Sequence, residues 1–241
     1  ALGIRCLLND PLKKKLTQSY IYSPLDEVLK KSDIITLHVP FTTDGPDCTC
    51  NLVNAEFINK MKDGAIFINT SSDKVINEEE FLRAAPGKLK GIVLDVWKTE
   101  PEINLELLNI TNIATPHIAG SSYISSVTGT GMIHDAACSF FYKEPKWDLD
   151  RVIEQLKYRT IQISDTQNPV SEAITKAYPI LNDDKMLRKI TSIKQSEHVR
   201  YFENLRKNYS RHDSFVLCKV KSDDMTLDTI EWLARLGFRI W

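Results

Sequence analysis

The chain has 241 residues with 31 basic and 32 acidic side chains, for a net charge of −1. This balance provides no basic excess for nucleic acid, and no apolar run approaches the ~20 residues that a membrane-spanning helix needs. A hydrophobic share of 42% is typical of a globular protein with a buried core. We therefore expect one large or two ordinary globular domains that bind neither nucleic acid nor membrane.

The five cysteines are sparse and odd in number. They predict a reducing compartment, the cytoplasm, rather than a disulfide framework. Cys48 and Cys50 are too closely spaced for the usual paired zinc ligands, so no metal site is predicted. The chain opens on Ala1 and runs directly into an apolar stretch, which leads us to expect a piece of a longer protein.

Short apolar runs alternate with helical stretches through the first 120 residues. The runs are continuous, as in a parallel sheet that is covered on both faces. We therefore predict that residues 1–120 form a doubly wound parallel α/β domain that is incomplete at its N-terminal end. The predicted strands span residues 3–9, 33–40, 65–69, 91–97 and 112–116, and the predicted helices span residues 24–29, 54–62 and 77–85.

The pattern changes after residue 120. The long helix that is predicted next contains Gly129 and Gly131, which indicate close packing against a neighbouring element. A linker and a small α+β domain are predicted to follow, with Gly237 ending the last helix. The predicted boundaries are 121–145 for the long helix, 146–159 for the linker and 160–241 for the C-terminal domain.

Polar side chains at the carboxyl ends of parallel strands are the first candidates for a binding site. Asp10 follows the first predicted strand. An acidic residue at this place accepts hydrogen bonds from the ribose hydroxyls of NAD and repels the 2′-phosphate of NADP. A solvated turn residue before a proline is equally compatible with the local sequence, and both interpretations stay open.

Asp95, Glu100 and His117 form the strongest constellation in the sequence. His117 follows a proline at a predicted strand end, and Glu100 precedes another proline. An imidazole titrates near neutrality, so it can take a proton from an alcohol, and a nearby carboxylate stabilises its protonated form. A lone histidine is more often structural, but this pair predicts oxidation of a secondary alcohol with hydride transfer to nicotinamide.

Four motifs, SDIITLHVPFT, GAIFINTS, LDVWKTEP and TPHIAG, occur in the order that is found in D-isomer-specific 2-hydroxyacid dehydrogenases. The chain resembles this family over nearly its whole length. Three further stretches resemble members that oxidise a phosphorylated hydroxy acid and carry a C-terminal dimerisation domain: 41–54, 129–141 and 202–215. The resemblance implies a Rossmann-like fold, NAD as cofactor, a homodimer and a glycine-rich turn before Ala1.

The resemblance also implies roles for individual residues. His117 matches the family's proton donor, and Glu100 matches its carboxylate partner. The positions that match cofactor contacts are Asp10, Val39, Thr70, Ser71, Ser72, Asp95 and Gly120.

Two positions depart from the family's pattern. Relatives carry an arginine that binds the substrate carboxylate where this chain has Ser72, and a glycine where it has Asp73. The most similar members carry a substrate-contacting tyrosine where this chain has Ser121. We still expect Ser72 to lie at the catalytic centre and Ser121 to contact the substrate.

Three functions are compatible with these features. The first is NAD-dependent oxidation of the phosphorylated hydroxy acid. The second is a decayed relative that folds and dimerises without catalysis, which Ser72 and Asp73 favour. The third is a dehydrogenase of another hydroxy acid, which fits the motifs but not the C-terminal domain. For the intact protein the sequence favours the first function. For this chain alone it favours the second, because the phosphate-binding turn and half of the substrate cleft are expected to lie before Ala1.

Overall fold

A computed structural model of the protein describes residues 3–209, 214–222 and 225–240. Part of the motif at 202–215 and the last residue of the C-terminal strand predicted at FRIW, Trp241, therefore lie outside the described residues.

Many of the helices are short and begin at a polar side chain that caps the first turn. The caps predicted in the sequence are confirmed: Asn54 Oδ1 accepts the Phe57 N–H at 2.9 Å, and Asn77 Oδ1 accepts the Glu80 N–H at 3.3 Å. The helices are α1 (Pro11–Thr17), α2 (Leu25–Lys31), α3 (Ala55–Lys60), α4 (Glu78–Ala84), α5 (Leu105–Ile110), α6 (Tyr123–Phe140), α7 (Leu149–Glu154), α8 (Pro169–Ala177), α9 (Ile180–Arg188), α10 (His198–Lys207) and α11 (Leu227–Arg235).

The strands of the described residues form two parallel sheets. Their bounds are β1 (Ile34–Leu37), β2 (Ala65–Asn69), β3 (Leu89–Leu94), β4 (Ile113–Ala114), β5 (Arg159–Gln162), β6 (Cys218–Lys221) and β7 (Arg239–Ile240). One sheet has the order β1-β2-β3-β4 and the other β5-β6-β7, and every neighbouring pair is parallel. The predicted Rossmann-like α/β architecture is confirmed.

The chain divides into two compact units. The first unit consists of Arg5–Ala119 and Leu181–Asn208, and the second of residues 1–4, 120–180 and 209–241. The domain predicted at 160–241 is therefore not one compact unit. Its middle segment joins the first unit because apolar side chains of α9 and α10 are buried in the core of the first sheet.

The core of the first unit covers both faces of the sheet. Phe67 on β2 and Leu94 at the end of β3 are fully buried, and the side chains that alternate with Phe67 along β2 are half-buried. Leu187 and Phe202, from the distant segment, belong to the same core. Since the strands are parallel, their carboxyl ends meet at one edge, where ligands of such sheets bind.

An ion pair anchors α9 to this unit. Asp184 Oδ1 accepts the Ala114 N–H at 2.8 Å, and Asp184 Oδ2 accepts from Arg188 Nε at 2.9 Å. Arg188 also donates to the carbonyls of Leu108 and Thr111, at 3.2 and 2.5 Å. These bonds link α9 to α5 and β4, which lie about 70 residues earlier in the chain.

The strand predicted at residues 3–9 is wrong. In this stretch a single isolated bridge joins Leu8 to Tyr22, and most of its side chains are exposed. An apolar run becomes a buried strand only where neighbours pair with its backbone and cover its faces. The first sheet, which consists of β1 to β4, does not include this stretch.

The second unit alternates helices with parallel strands. Its core lies between α8, α11 and the sheet, and it includes the stacked rings of Phe215 and Phe238, whose centroids are 4.5 Å apart. Gly237, with φ of 95°, ends α11 as predicted: its N–H and that of Phe238 bond back to Ala234 and Leu233.

Close packing of α6 is confirmed at one of its two predicted glycines. A Cβ on Gly131 would lie 3.0 Å from the Trp147 ring, so only glycine fits there without a shift. Gly129 has no neighbouring atom within 4 Å of such a Cβ, and the prediction is wrong there. The predicted linker at 146–159 contains α7, which the sequence reasoning missed.

Candidate functional site

Polar residues follow β2, β3 and β4 at the carboxyl edge of the first sheet. Backbone pairing continues just beyond the strands, since Asp95 donates its N–H to the Asn69 carbonyl at 3.1 Å. Thr115 likewise donates to the Leu94 carbonyl at 3.0 Å. The three loops that carry most of the predicted site residues therefore start from fixed positions.

Asn69 holds the loop after β2. Its side chain is fully buried; Oδ1 accepts from the N–H and hydroxyl of Ser71 at 3.1 and 2.9 Å, and Nδ2 donates to the Ser72 carbonyl at 2.8 Å. Thr70, Ser71 and Ser72 are half-buried, and Asp73 begins a single 3₁₀ turn. One buried amide thus determines the path of the segment that contains the predicted site residues Thr70, Ser71 and Ser72.

Asp95 organises the loop that carries His117. Its carboxylate is buried and accepts three hydrogen bonds: from the Thr115 hydroxyl at 2.6 Å, and from the backbone N–H groups of Ile118 and Ala119 at 2.8 Å each. Burial raises the pKa of Asp95, and these hydrogen bonds act against that rise. By binding the two backbone N–H groups directly after His117, the carboxylate positions the imidazole.

His117 and Glu100 form a hydrogen-bonded pair. His117 Nδ1 lies 2.7 Å from Glu100 Oε2. An ionised carboxylate only accepts, so Nδ1 donates and Nε2 is the nitrogen left to exchange a proton with a substrate. The bond to Glu100 raises the pKa of His117, and partial burial of the ring opposes this.

The backbone around the pair is unusual. His117 has φ of 57°, in the left-handed region that residues other than glycine seldom adopt, and the Glu100–Pro101 peptide is cis. Glu100 Oε1 accepts the Trp97 N–H at 2.9 Å. The buried Trp97 indole donates to the Thr115 carbonyl at 2.9 Å. The two loops are thereby tied together beneath the pair.

The other predicted residues are placed as follows. Asp10 caps α1, since its Oδ1 accepts the Lys13 N–H at 2.8 Å, and Val39 packs half-buried against the core just after β1. In the second unit, Gly120 is exposed with open space at its Cα, and Ser121 is half-buried just before α6. Their roles toward cofactor and substrate stay predictions.

Two residues of this region were missed by the sequence reasoning. Asn69 could have been found, because a polar residue at the end of a continuous apolar strand is a signal for a buried hydrogen-bonding role. Arg206 could not, because it lies on α10, more than a hundred residues after Glu100 in the chain. Its guanidinium Nη1 is 3.7 Å from Glu100 Oε2.

The part of the chain that the structure describes contains no cluster of three or more His, Cys, Asp or Glu side chains able to hold a metal ion. Within the same residues, no helix has both the length and the apolar character needed to cross a membrane.

Several known proteins are similar to this chain. It is 33% identical, over 241 residues, to an erythronate-4-phosphate dehydrogenase of Proteus mirabilis and to one of Escherichia coli O157:H7. In each case 99% of this chain is aligned, and the chain spans 62% of the relative's length. A D-lactate dehydrogenase from Aquifex aeolicus, solved with NAD and lactic acid, is 33% identical over 50% of this chain and 40% of its own, with a TM-score of 0.41.

The first unit also matches a described family. Residues 1–119 match the D-isomer specific 2-hydroxyacid dehydrogenase, NAD binding domain. This match covers the parallel sheet, the Asn69 loop, Asp95, Glu100 and His117. Residues 1–119 are therefore similar to the NAD-binding domain of the D-isomer specific 2-hydroxyacid dehydrogenases, and the two erythronate-4-phosphate dehydrogenases are similar to nearly the whole chain.

Proposed function

We propose that the protein is an NAD-dependent dehydrogenase that oxidises 4-phospho-D-erythronate to the corresponding 2-oxo acid, a reaction of vitamin B6 biosynthesis. The observation that carries the proposal is the 2.7 Å contact between His117 Nδ1 and Glu100 Oε2 at the carboxyl edge of a parallel sheet. The names of the relatives supply the substrate.

His117 acts as the base of the proposed reaction. Neutral Nε2 accepts the hydroxyl proton of the substrate, and the imidazolium that forms is stabilised by Glu100 through Nδ1. Asp95 keeps the ring in place by binding the backbone N–H groups of Ile118 and Ala119. In the reverse direction the same nitrogen returns the proton.

The residues present suit the proposed cofactor. NAD, when bound, accepts the hydride that leaves the substrate carbon. Thr70 and Ser71 offer half-buried hydroxyls directly after β2, and Val39 offers an apolar surface after β1. Asp10 would accept from the ribose hydroxyls with the carboxylate oxygen that does not cap α1.

The test is NADH formation by the full-length gene product with 4-phospho-D-erythronate as substrate. We expect turnover that His117→Ala abolishes and that His134→Ala, a change on helix α6 of the second unit, leaves intact. Absence of NAD reduction by the unchanged protein would refute the activity, and full activity of His117→Ala would refute the role of His117.

A second candidate, a relative that has lost catalysis, is favoured by Ser72 and Asp73. Neither residue can form the charge-assisted pair with a substrate carboxylate that an arginine forms. If this pair is what the protein lacks, Ser72→Arg with Asp73→Gly should raise kcat/KM by roughly 10²–10⁴, for two charged hydrogen bonds of ~1.5–3 kcal/mol each. A double variant no faster than the unchanged protein would indicate that the serine is not the defect.

We also propose that the protein is a homodimer and that it is located in the cytoplasm. Dimerisation is assigned to the second unit, whose segments at 159–180 and 214–240 include most of the predicted C-terminal domain. All five cysteines belong to the described part of the chain and form no disulfide there, which suits a reducing compartment.

A further inference from the structure

One basic side chain touches the Glu100–His117 pair from outside the family-matched segment. Arg206, in the last turn of α10, places Nη1 3.7 Å from Glu100 Oε2. That oxygen is also the one that accepts from His117 Nδ1. One carboxylate oxygen therefore accepts a hydrogen bond from His117 and forms an ion pair with Arg206, which follows His117 by more than eighty residues in the chain.

The contact lies at the wall of a cavity of about 370 Å³. Glu100 and Arg206 line it together with Pro101, Phe202, Glu203 and Lys207. Glu203 and Lys207 are paired with each other at 3.0 Å. Arg206 is thus the charged group of this wall that is directed at the pair.

The position of Arg206 is set by the fold. Phe202, one turn earlier on α10, is buried in the core of the first unit. Tyr201 fixes the same helix to α9, since its hydroxyl donates to the Met186 carbonyl at 2.6 Å. Arg206 follows Phe202 by four residues and so lies on the same face of the helix.

We propose that Arg206 is a positioning residue of the proposed dehydrogenase: its guanidinium holds the Glu100 carboxylate and balances its charge, so that His117 can be neutral when it must accept a proton. Glu100 alone favours the imidazolium, which cannot act as a base. A second cation beside the same oxygen disfavours that form. Arg206 therefore enlarges the fraction of His117 that is neutral, which is the form that accepts the hydroxyl proton.

The charged groups that face His117 act on its pKa in opposite directions. Glu100 raises the pKa of His117, Asp95 raises it further and Arg206 lowers it. Loss of Arg206 should therefore shift the titration of His117 to higher pH.

The inference rests on the proposed function for its meaning, but its first test needs neither substrate nor NAD. The pKa of His117 is measured by NMR titration of its ring protons in the 241-residue chain. Arg206→Gln should raise it, and Arg206→Lys, which keeps the charge, should return it toward the original value. Arg200→Gln is the matched control, because Arg200 lies on the same helix and pairs with Glu197 at 3.3 Å, away from His117.

A His117 pKa in Arg206→Gln that equals that of the unchanged chain, in a variant with an unchanged amide spectrum, would overturn the proposal. A second variant covers a folding defect: if Arg206→Gln does not fold, Arg206→Met, which keeps the apolar stem without the charge, should show the same rise. An unchanged His117 pKa in a folded Arg206→Met would overturn the proposal.

The activity of the full-length protein gives the second readout. In Arg206→Gln the pH at which oxidation is half-maximal should rise with the pKa of His117, with kcat lowered near neutrality more than KM is changed. An altered KM with an unchanged pH profile would instead make Arg206 a substrate-binding residue and overturn the positioning role. If the protein proves inactive, the NMR result still decides the inference.

Discussion

At the residue scale, the chemistry of the first unit depends on how one carboxylate and one imidazole share a proton. Glu100 is mostly buried, its side chain being 16% exposed, whereas that of His117 is 41% exposed. A buried acceptor beside a half-exposed base keeps the base oriented and leaves its outer nitrogen accessible. The pH dependence of the protein should therefore report on this pair.

Replacement of Glu100 by glutamine should lower the pKa of His117, because the bond from Glu100 is the largest cause of its rise. Oxidation needs neutral His117, so the pH of half-maximal oxidation should fall. Reduction needs the imidazolium, so as pH rises its rate should begin to decrease at a lower pH than in the unchanged protein. NMR titration and pH–rate profiles measure both effects. Glu56→Gln, on the exposed end of α3, is the control, and an unshifted His117 pKa in Glu100→Gln would contradict the prediction.

The same pair links stability to pH. The folded pKa of His117 lies above its ordinary value of 6.5, so the protonated form adds stability below pH 6.5, and this contribution is lost as pH rises through the folded pKa. Urea unfolding should show a larger difference between the unchanged chain and Glu100→Gln below that range than above it. A difference that does not vary with pH would show that the bond is not formed in solution.

At the element scale, α9 and α10 complete the first unit although they follow most of the second unit in the chain. Asp184 and Arg188, both on α9, connect this helix to β4 and to the end of α5. Their hydrogen bonds satisfy the backbone groups of Ala114 and Thr111, which are buried. This arrangement explains why residues 181–208 behave as part of the first sheet's core.

Asp184→Asn should destabilise the first unit by about 3 kcal/mol, because it removes the carboxylate charge that pairs with the Arg188 guanidinium at a largely buried site. Urea unfolding measures this loss. The control is Glu27→Gln, which removes an exposed pair with Lys31 at 2.7 Å and should change stability far less, because an exposed ion pair contributes little. Equal effects of the two changes would show that the Asp184 contact is no stronger than a surface pair.

At the scale of the whole molecule, the proposed homodimer is a property that can be measured, with dimerisation assigned to the second unit. Sedimentation equilibrium of the 241-residue chain should give the mass of two chains at micromolar concentration. Charge reversal at an exposed residue of the first unit, Lys62→Glu, should leave that mass unchanged. A monomer mass at every concentration tested would contradict the assignment of dimerisation to the second unit.

Local signals in the sequence were sufficient for most elements of the first unit. Asn54 and Asn77 predicted helix starts because their side chains satisfy free backbone N–H groups, a property of the nearest few residues. Continuous apolar runs likewise predicted β1 to β4 as buried parallel strands. The run at residues 3–9 has the same local pattern, and it failed because burial depends on neighbours that the pattern cannot contain.

The sequence by itself determined the parallel α/β sheet, the polar ends of its strands, and the pairing of Glu100 with His117. Only the tertiary structure decided that Asn69 and Asp95 hold the site's loops, that residues 181–208 belong to the first unit, and that Arg206 reaches Glu100. The physical reason is the separation along the chain of the residues that interact. Capping and apolar strand patterns follow from adjacent residues, whereas a contact between α10 and the loop after β3 exists only once the chain has folded.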